Sequence, residues 1–324
     1  MDPRWLRRAI FPYLTGGPVR ESGPRGAERV RIVVVGGSGQ LGRDLSRAAA
    51  RRGLALDALS HADVEVSDDA SVCAALDARE PAVVINTSAW QGASAYNAAD
   101  QEPFFRINAL GAWNLARWCR RRGARLVHYS TDYVFGADTA RRTPYTERDA
   151  PGATSVYGVS KLAGEQLVRA TCPDHLVLRV ASLYGRGGCR AKGNTNFVET
   201  ILAKARAGET LAVVADQRMS PTCTADIAAK TLEMLERAAP AGLYHLAGSG
   251  SCSWHEFASA ALDAAGVRAE VRATETPPDG PDVFFIRPRY TALDNAALRA
   301  AGFEDLPGWR DALVRYIADR GETQ

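Results

Sequence analysis

The chain has 324 residues, 46% hydrophobic and 24% charged, a balance typical of globular proteins that excludes disorder, collagen and a pure coiled coil. That length predicts one large α/β domain or two lobes, because single cores stop growing at roughly 250–300 residues. The net charge of +3 comes from 40 basic and 37 acidic side chains scattered along the chain, which argues against nucleic acid as a partner.

Residues 1–28 carry Gly16, Gly17, Pro18, Gly23, Pro24 and Gly26 and read as an N-terminal extension laid over the fold or left mobile. Pro12 interrupts the only apolar stretch there, which disfavours a signal peptide. From residue 30 the pattern alternates: strand 30–35, a glycine turn, helix 40–52, strand 54–59, helix 69–79, strand 82–86, helix 103–122 and strand 125–129. It continues with helix 156–170, strand 176–180, helix 197–207, strand 211–214, helix 225–237, strand 243–246 and a closing helix 309–320. Strands such as VVV and AVVI are continuously apolar, as expected when helices cover both faces of a parallel sheet. The expected fold is therefore α/β, a doubly wound parallel sheet of Rossmann type with a smaller C-terminal substrate-binding lobe. Residues 29–185 form the dinucleotide-binding domain, and 186–324 form mainly the second lobe, partly returning to the sheet. The loop 186–196, rich in glycine and without a period, is expected to be mobile beside a ligand.

No apolar run reaches the ~18–20 residues that span a bilayer, so no membrane partner is expected. Six cysteines, at 73, 119, 172, 189, 223 and 252, show neither C-x-x-C nor zinc-finger spacing. Reduced thiols in a cytoplasmic protein, with no metal site, are expected.

Gly36-Gly37-Ser38-Gly39-Gln40-Leu41-Gly42 follows the first strand and opens a helix. Glycines there let backbone approach a pyrophosphate, and a helix N-terminus supplies free N–H groups and partial positive charge. A strand-end acid that would read the ribose of NAD is missing: the second strand ends Leu59-Ser60-His61, with Asp57 inside it and Asp63 beyond. Both NADPH and NADH are thus expected as cofactors, leaning to NADPH, with Arg43 and His61 as candidates for a 2′-phosphate.

Tyr157 and Lys161 stand four residues apart at the start of a helix, so they share a face. A free phenol titrates near pH 10, and lowering that by ~3 units takes about 4 kcal/mol, which a neighbouring ammonium helps to supply. Only four lysines occur against thirty-six arginines, which weakens the reading of Lys161 as generic surface charge. Upstream, Ser130-Thr131-Asp132 lies at the carboxyl end of a strand, where ligands sit in open α/β sheets, and Thr131 can donate a hydrogen bond to the oxygen that Tyr157 protonates.

Together GGSGQLG (36–42), VVINTSA (83–89), Asn108, ARLVHYSTDYVF (124–135), PYTERDAP (144–151), VYGVSKLAGEQ (156–166), HLVLRVASLYG (175–185), NFV (196–198), DQRMSPT (216–222) and RPRYTALDNAAL (287–298) carry a resemblance. The chain resembles the extended short-chain dehydrogenase/reductases and, within them, the dTDP-4-dehydrorhamnose reductases. The resemblance implies NADPH- or NADH-dependent reduction of the C4 ketone of a nucleotide-linked 4-keto-6-deoxyhexose in deoxysugar biosynthesis, with Thr131, Tyr157 and Lys161 catalytic. It implies cofactor contacts from Gly36, Gly39, Gln40, Leu41, Gly42, Asn86, Ser88, Ala89, Ser130, Tyr157 and Lys161. Substrate contacts would come from Trp90, Asp132, Tyr133, Asn196, Phe197, Pro221 and Thr222, and a homodimer is compatible with the family.

Two departures fall in substrate-facing loops. Residues 89–97 replace the family's usual Tyr-Thr-x-Val-Asp-Lys-Ala-Glu stretch without its Asp-Lys pair, and Met219 stands where glycine is usual. The segment 90–97 is expected to shape the sugar pocket and to leave room for a substrate other than dTDP-4-dehydrorhamnose. A 4,6-dehydratase is disfavoured because Tyr133 occupies the position of its Glu. A non-catalytic NAD(P)-binding regulatory subunit, similar to the beta subunit of methionine adenosyltransferase, can retain Tyr-x-x-x-Lys and stays open as the alternative.

Overall fold

Short runs of valine and isoleucine between glycine turns and amphipathic helices make a parallel sheet with a helical layer on each side. The computed structural model describes residues 31–91, 101–188, 193–277 and 287–320. The extension 1–28, residues 92–97 of the expected sugar loop and residues 189–192 of the glycine-rich loop lie outside the described residues.

The first half runs β1 (Ile32–Val35), α1 (Gln40–Arg51), β2 (Leu56–Leu59), α2 (Asp69–Asp77), β3 (Val83–Asn86), α3 (Glu102–Phe105), α4 (Ala112–Arg122) and β4 (Arg125–Thr131). It continues with α5 (Val156–Thr171), β5 (His175–Val180) and β6 (Leu183–Tyr184). The second half adds α6 (Phe197–Arg206), β7 (Leu211–Val214), β8 (Arg218–Met219), β9 (Thr222–Cys223), α7 (Thr224–Glu236) and β10 (Gly242–His245). It closes with β11 (Cys252–Ser253), α8 (Trp254–Ala264), β12 (Val271–Thr274), α9 (Ala296–Ala300) and α10 (Trp309–Arg320).

Six strands form the main sheet in the order β10-β5-β4-β3-β1-β2, every pairing parallel. Alternate strand residues feed two cores. Ile32, Val34 and Ile85 pack with Leu41 and Leu45 of α1 and Ile227 and Leu232 of α7. Val33, Val35 and Val84 pack on the opposite face with Leu76, Leu115, Trp118 and Val168. The alternation of strand and helix therefore yields the doubly wound fold expected, and β10 brings the chain back to the sheet after α7.

The expected helix 103–122 is broken in the middle: Arg106–Gly111 is a π-helical turn between α3 and α4. Gly111 explains part of this, because a Cβ there would stand 2.7 Å from Val66 Cγ2. The strand at 211–214 forms, but outside the main sheet, where it pairs parallel with β12. With α6, α8 and α10 it builds a third core around Tyr184, Phe257 and Trp309. Helix α8 escapes the hydrophobic pattern, although Ser253 and Glu256 make a reciprocal capping box at its start of the kind that S-x-x-E signals.

Between β5 and α5 lies a buried ion pair. Arg179 of β5 donates from Nε and Nη2 to Glu165 of α5 at 2.9 and 2.8 Å, and the two side chains are 1% and 0% exposed. Burying either charge alone is costly, so removing one partner should be far worse than removing both. Arg179→Met is expected to lose about 3–5 kcal/mol in urea unfolding, whereas Arg179→Met/Glu165→Leu recovers most of the loss; equal losses would contradict this account.

Candidate functional site

The turn after β1 is shaped by backbone crowding. Gly36 has φ +82°, and a Cβ on it would stand 2.8 Å from the Ser88 amide nitrogen, so the turns after β1 and β3 touch. Gly37 donates to the Leu59 carbonyl at 2.8 Å and lies against Ala58. A Cβ on Gly42 would meet Gly37 Cα at 2.6 Å, which seats α1 on the turn. Gly39 differs: its Cβ direction meets only the Gly36 carbonyl, at 3.1 Å, and otherwise opens to free space. It is also the N-cap of α1 and offers no side-chain cap, so the first-turn N–H groups remain available to an anion. This is a cradle that a dinucleotide pyrophosphate fits. The side chains of Gln40 and Leu41 point away, Gln40 donating to the Gly185 carbonyl at 2.8 Å and Leu41 entering the core. What these two can offer a ligand is backbone N–H.

The second part of the site is built by α5 pressing on the end of β4. Ser155 caps the helix by accepting from Gly158 N at 3.1 Å. Gly158 lies against the Tyr133 carbonyl and Gly164 against that of Asn108; side chains at either position would push the helix away. The close approach drives Lys161 to 2% exposure, where Nζ donates to the Tyr129 carbonyl at 2.6 Å. Burial pulls its pKa down to about 8, opposed by the negative charge of Glu165. Tyr157, one turn earlier, is half-buried and meets the rings of Tyr133 and Phe104 edge-on, at 5.8 and 6.4 Å between centroids.

Thr131 is buried at the end of β4. Its hydroxyl accepts from Tyr133 N at 3.2 Å and lies 3.1 Å from Asp132 Oδ1. Ser130 Oγ is buried with no hydrogen-bond partner. Asn86 accepts from Ser88 N and Oγ at 3.0 and 2.6 Å and donates from Nδ2 toward His128 Nδ1 at 3.1 Å, an imidazole that burial holds well below its usual pKa. Ala89 and Trp90 follow, both exposed. Trp90 is gripped by Asn108, whose amide accepts from Trp90 N at 2.8 Å and donates to Trp90 O at 3.0 Å. The same Nδ2 lies 3.0 Å from Ser160 Oγ. Asn108, on the π-helical turn, therefore ties the start of the 90–97 segment to α5. Sequence reasoning used it only as part of a resemblance, though a buried asparagine in a helix always needs such partners.

Four further expected substrate residues lie on the C-terminal part of the chain. Asn196 caps α6 and donates to the Gly185 carbonyl at 2.9 Å and toward Tyr316 OH at 3.0 Å. Phe197 packs on Trp254 and Phe257. Pro221 is buried beside Gly248. Thr222 Oγ1 donates to Ser220 O and accepts from Gly248 N, both at 3.0 Å. Their contacts run within the second lobe and its seam with the sheet, whereas Thr131, Asp132, Tyr133, Tyr157 and Lys161 gather around the junction of β4 with α5.

The tip of β2 needs one correction. The sequence places no carboxylate at this tip, but Asp63 folds back to accept from Ser60 N at 2.7 Å and Ser60 Oγ at 2.6 Å. Three residues of turn suffice, and the spacing conceals the return. Arg43 is committed to the second lobe, donating to Gly187 O at 2.6 Å, and His61 projects into solvent 3.6 Å from Glu65.

Residues 30–321 match the family described as the RmlD substrate binding domain. The chain is 38% identical to a dTDP-4-dehydrorhamnose reductase of Streptomyces griseus over 294 residues, 88% of this chain and 92% of that protein. It is 35% identical to a dTDP-4-keto-6-deoxy-D-glucose reductase of Streptomyces niveus, covering 88% of this chain and 96% of the relative. A crystal structure of dTDP-4-dehydrorhamnose reductase from Bacillus anthracis in complex with NADP superposes with a TM-score of 0.82 at 30% identity, covering 90% of this chain and 99% of that one. By these matches, over nearly the whole described fold, the chain belongs to the RmlD substrate binding domain family.

Proposed function

We propose that this protein is an NAD(P)H-dependent reductase of the 4-keto group of a nucleotide-linked 4-keto-6-deoxyhexose, acting in deoxysugar biosynthesis. One observation carries it: a buried Lys161 ammonium anchored to the Tyr129 carbonyl at 2.6 Å, one helical turn from Tyr157 and beside Thr131. These groups lie at the carboxyl edge of the parallel sheet that also bears the glycine cradle. The relatives named above, whose names specify reduction of dTDP-linked keto sugars, and the NADP-bound neighbour support the same assignment.

The glycine turn and α1 N-terminus would hold the pyrophosphate, and Asn86, Ser88, Ala89, Ser130 and Lys161 the nicotinamide half. The bound reduced nicotinamide supplies a hydride to the ketone carbon. Tyr157 gives its phenolic proton to the ketone oxygen, which becomes the alcohol, and Lys161 stabilises the phenolate that remains. Thr131 orients the carbonyl, while Trp90, Asp132 and Tyr133 border the sugar.

Tyr157→Phe removes the proton and keeps the ring, so kcat should fall about 10²–10⁴-fold with NADPH affinity preserved, as turnover of dTDP-4-keto-6-deoxysugars and calorimetry will show. A variant with near wild-type kcat sinks Tyr157 as the acid. Lys161→Met should weaken both cofactor binding and rate. Gly39→Val should abolish dinucleotide binding in a folded protein, whereas Gly42→Val, which strikes Gly37, should lower the melting temperature as well.

Asp63 places negative charge at the β2 tip, where a 2′-phosphate would lie, and like charges there disfavour NADPH. Both cofactors should therefore be used within about a hundredfold of each other, or ~2.7 kcal/mol. Asp63→Asn should move the kcat/KM ratio toward NADPH, and no movement would remove Asp63 from cofactor choice.

A further inference from the structure

A threonine hydroxyl has one proton to give and two lone pairs to fill. At Thr131 one lone pair is taken by Tyr133 N, and the remaining close partner is Asp132 Oδ1, 3.1 Å away. If Asp132 is ionised it can only accept, so the hydroxyl proton must point at it and nothing is left for a ketone oxygen. If Asp132 is protonated its O–H fills the second lone pair of Thr131, and the threonine proton is free to point at substrate. Only the second arrangement leaves the Thr131 proton for a substrate oxygen.

The surroundings of the carboxyl favour the neutral form. Asp132 is 2% exposed, and its Oδ2 is buried with no hydrogen-bond partner, where a bare anionic oxygen would be expensive. Around it stand Thr131 and Tyr133 on its own segment and Thr291 on the C-terminal segment, whose polar groups favour the charged form and oppose the effect of burial. Helix α5 packs against residues 132–134 with Tyr157 and Lys161, the ammonium being already anchored to the Tyr129 carbonyl. Burial raises Asp132 to about 6.

We propose that Asp132 acts in its protonated form as a positioning residue that turns the Thr131 hydroxyl proton toward the substrate ketone. The proton stays on Asp132 throughout, so no group is transferred and Tyr157 remains the acid. This rests on the reductase function proposed above.

Because the donor is the neutral carboxyl, kcat should be highest below the Asp132 pKa and fall about tenfold, the value of one hydrogen bond of ~1.4 kcal/mol, as pH rises through it. In Asp132→Asn the amide donates to Thr131 at every pH, so that fall should be absent. Thr131→Val should also lack it, at a lower kcat. A fall that persists in Asp132→Asn, or a kcat that rises with pH through this range in the wild type, overturns the proposal.

A second measurement needs neither a variant nor turnover: carbon-13 NMR titration of the Asp132 carboxyl in the wild-type protein. A midpoint near 6 supports the proposal, and one near the ordinary aspartate value of ~3.9 overturns it, even where no ketosugar is reduced. Loss of all reduction alongside a midpoint near 6 would instead count against the reductase function.

Discussion

An ammonium taken out of water must be repaid with hydrogen bonds or it loses its proton. Lys161 is the point where this chain accepts that constraint. Its Nζ reaches the Tyr129 carbonyl at 2.6 Å, and Glu165, a turn further along α5, counters the desolvation. Arg179 in turn holds the Glu165 carboxylate from both oxygens. A line of buried charged groups thus runs from β5 through α5 to the end of β4. Gly158 and Gly164 permit the approach of helix to strand that makes these distances possible.

The parallel sheet converts that local arrangement into a site. Every strand of the main sheet points the same way, so the turns after β1, β3 and β4 emerge on one edge. Contact between Gly36 and the Ser88 amide fixes two of those turns against each other. Asn108 then carries the arrangement outward by gripping Trp90 with one end and reaching Ser160 with the other. The C-terminal part of the chain joins through α1, where Arg43 bonds Gly187 and Asp44 accepts from Thr224, while Gln40 bonds Gly185 just before it. The helix whose N-terminus would face phosphate is therefore also tied to the C-terminal part of the chain.

Much of this was legible in the residues. Helix 309–320 and the strands of the main sheet follow from apolar period and glycine punctuation, which are local properties. Tyr157 and Lys161 were found because a spacing of four on a helix is also local. Three features were not. The return of Asp63 to Ser60 depends on a turn whose closure no hydrophobic pattern encodes. The π-helical turn at 106–111 ends on Gly111 packed against Val66, a contact between distant segments. β12, reading Val-Arg-Ala-Thr, is half-exposed and pairs with β7 across nearly sixty residues, so it carries neither apolar continuity nor a hairpin signal. Among the site residues, Asn196 and Thr222 come from motif resemblance, and within the chain their side chains also bond Gly185, Tyr316, Ser220 and Gly248.

Whether this site serves reduction or only cofactor binding is decided by where the hydride goes. The direct measurement is transfer of deuterium from 4,4-dideuterated NADPH in the presence of dTDP-4-keto-6-deoxysugars, read by mass spectrometry and NMR of the sugar. The account predicts deuterium on C4 of a nucleotide-linked 6-deoxyhexose, with one nicotinamide oxidised for each alcohol formed. NADPH that binds and keeps its deuterium across the whole sugar panel would contradict it, and would identify a binding protein built on the fold of a reductase.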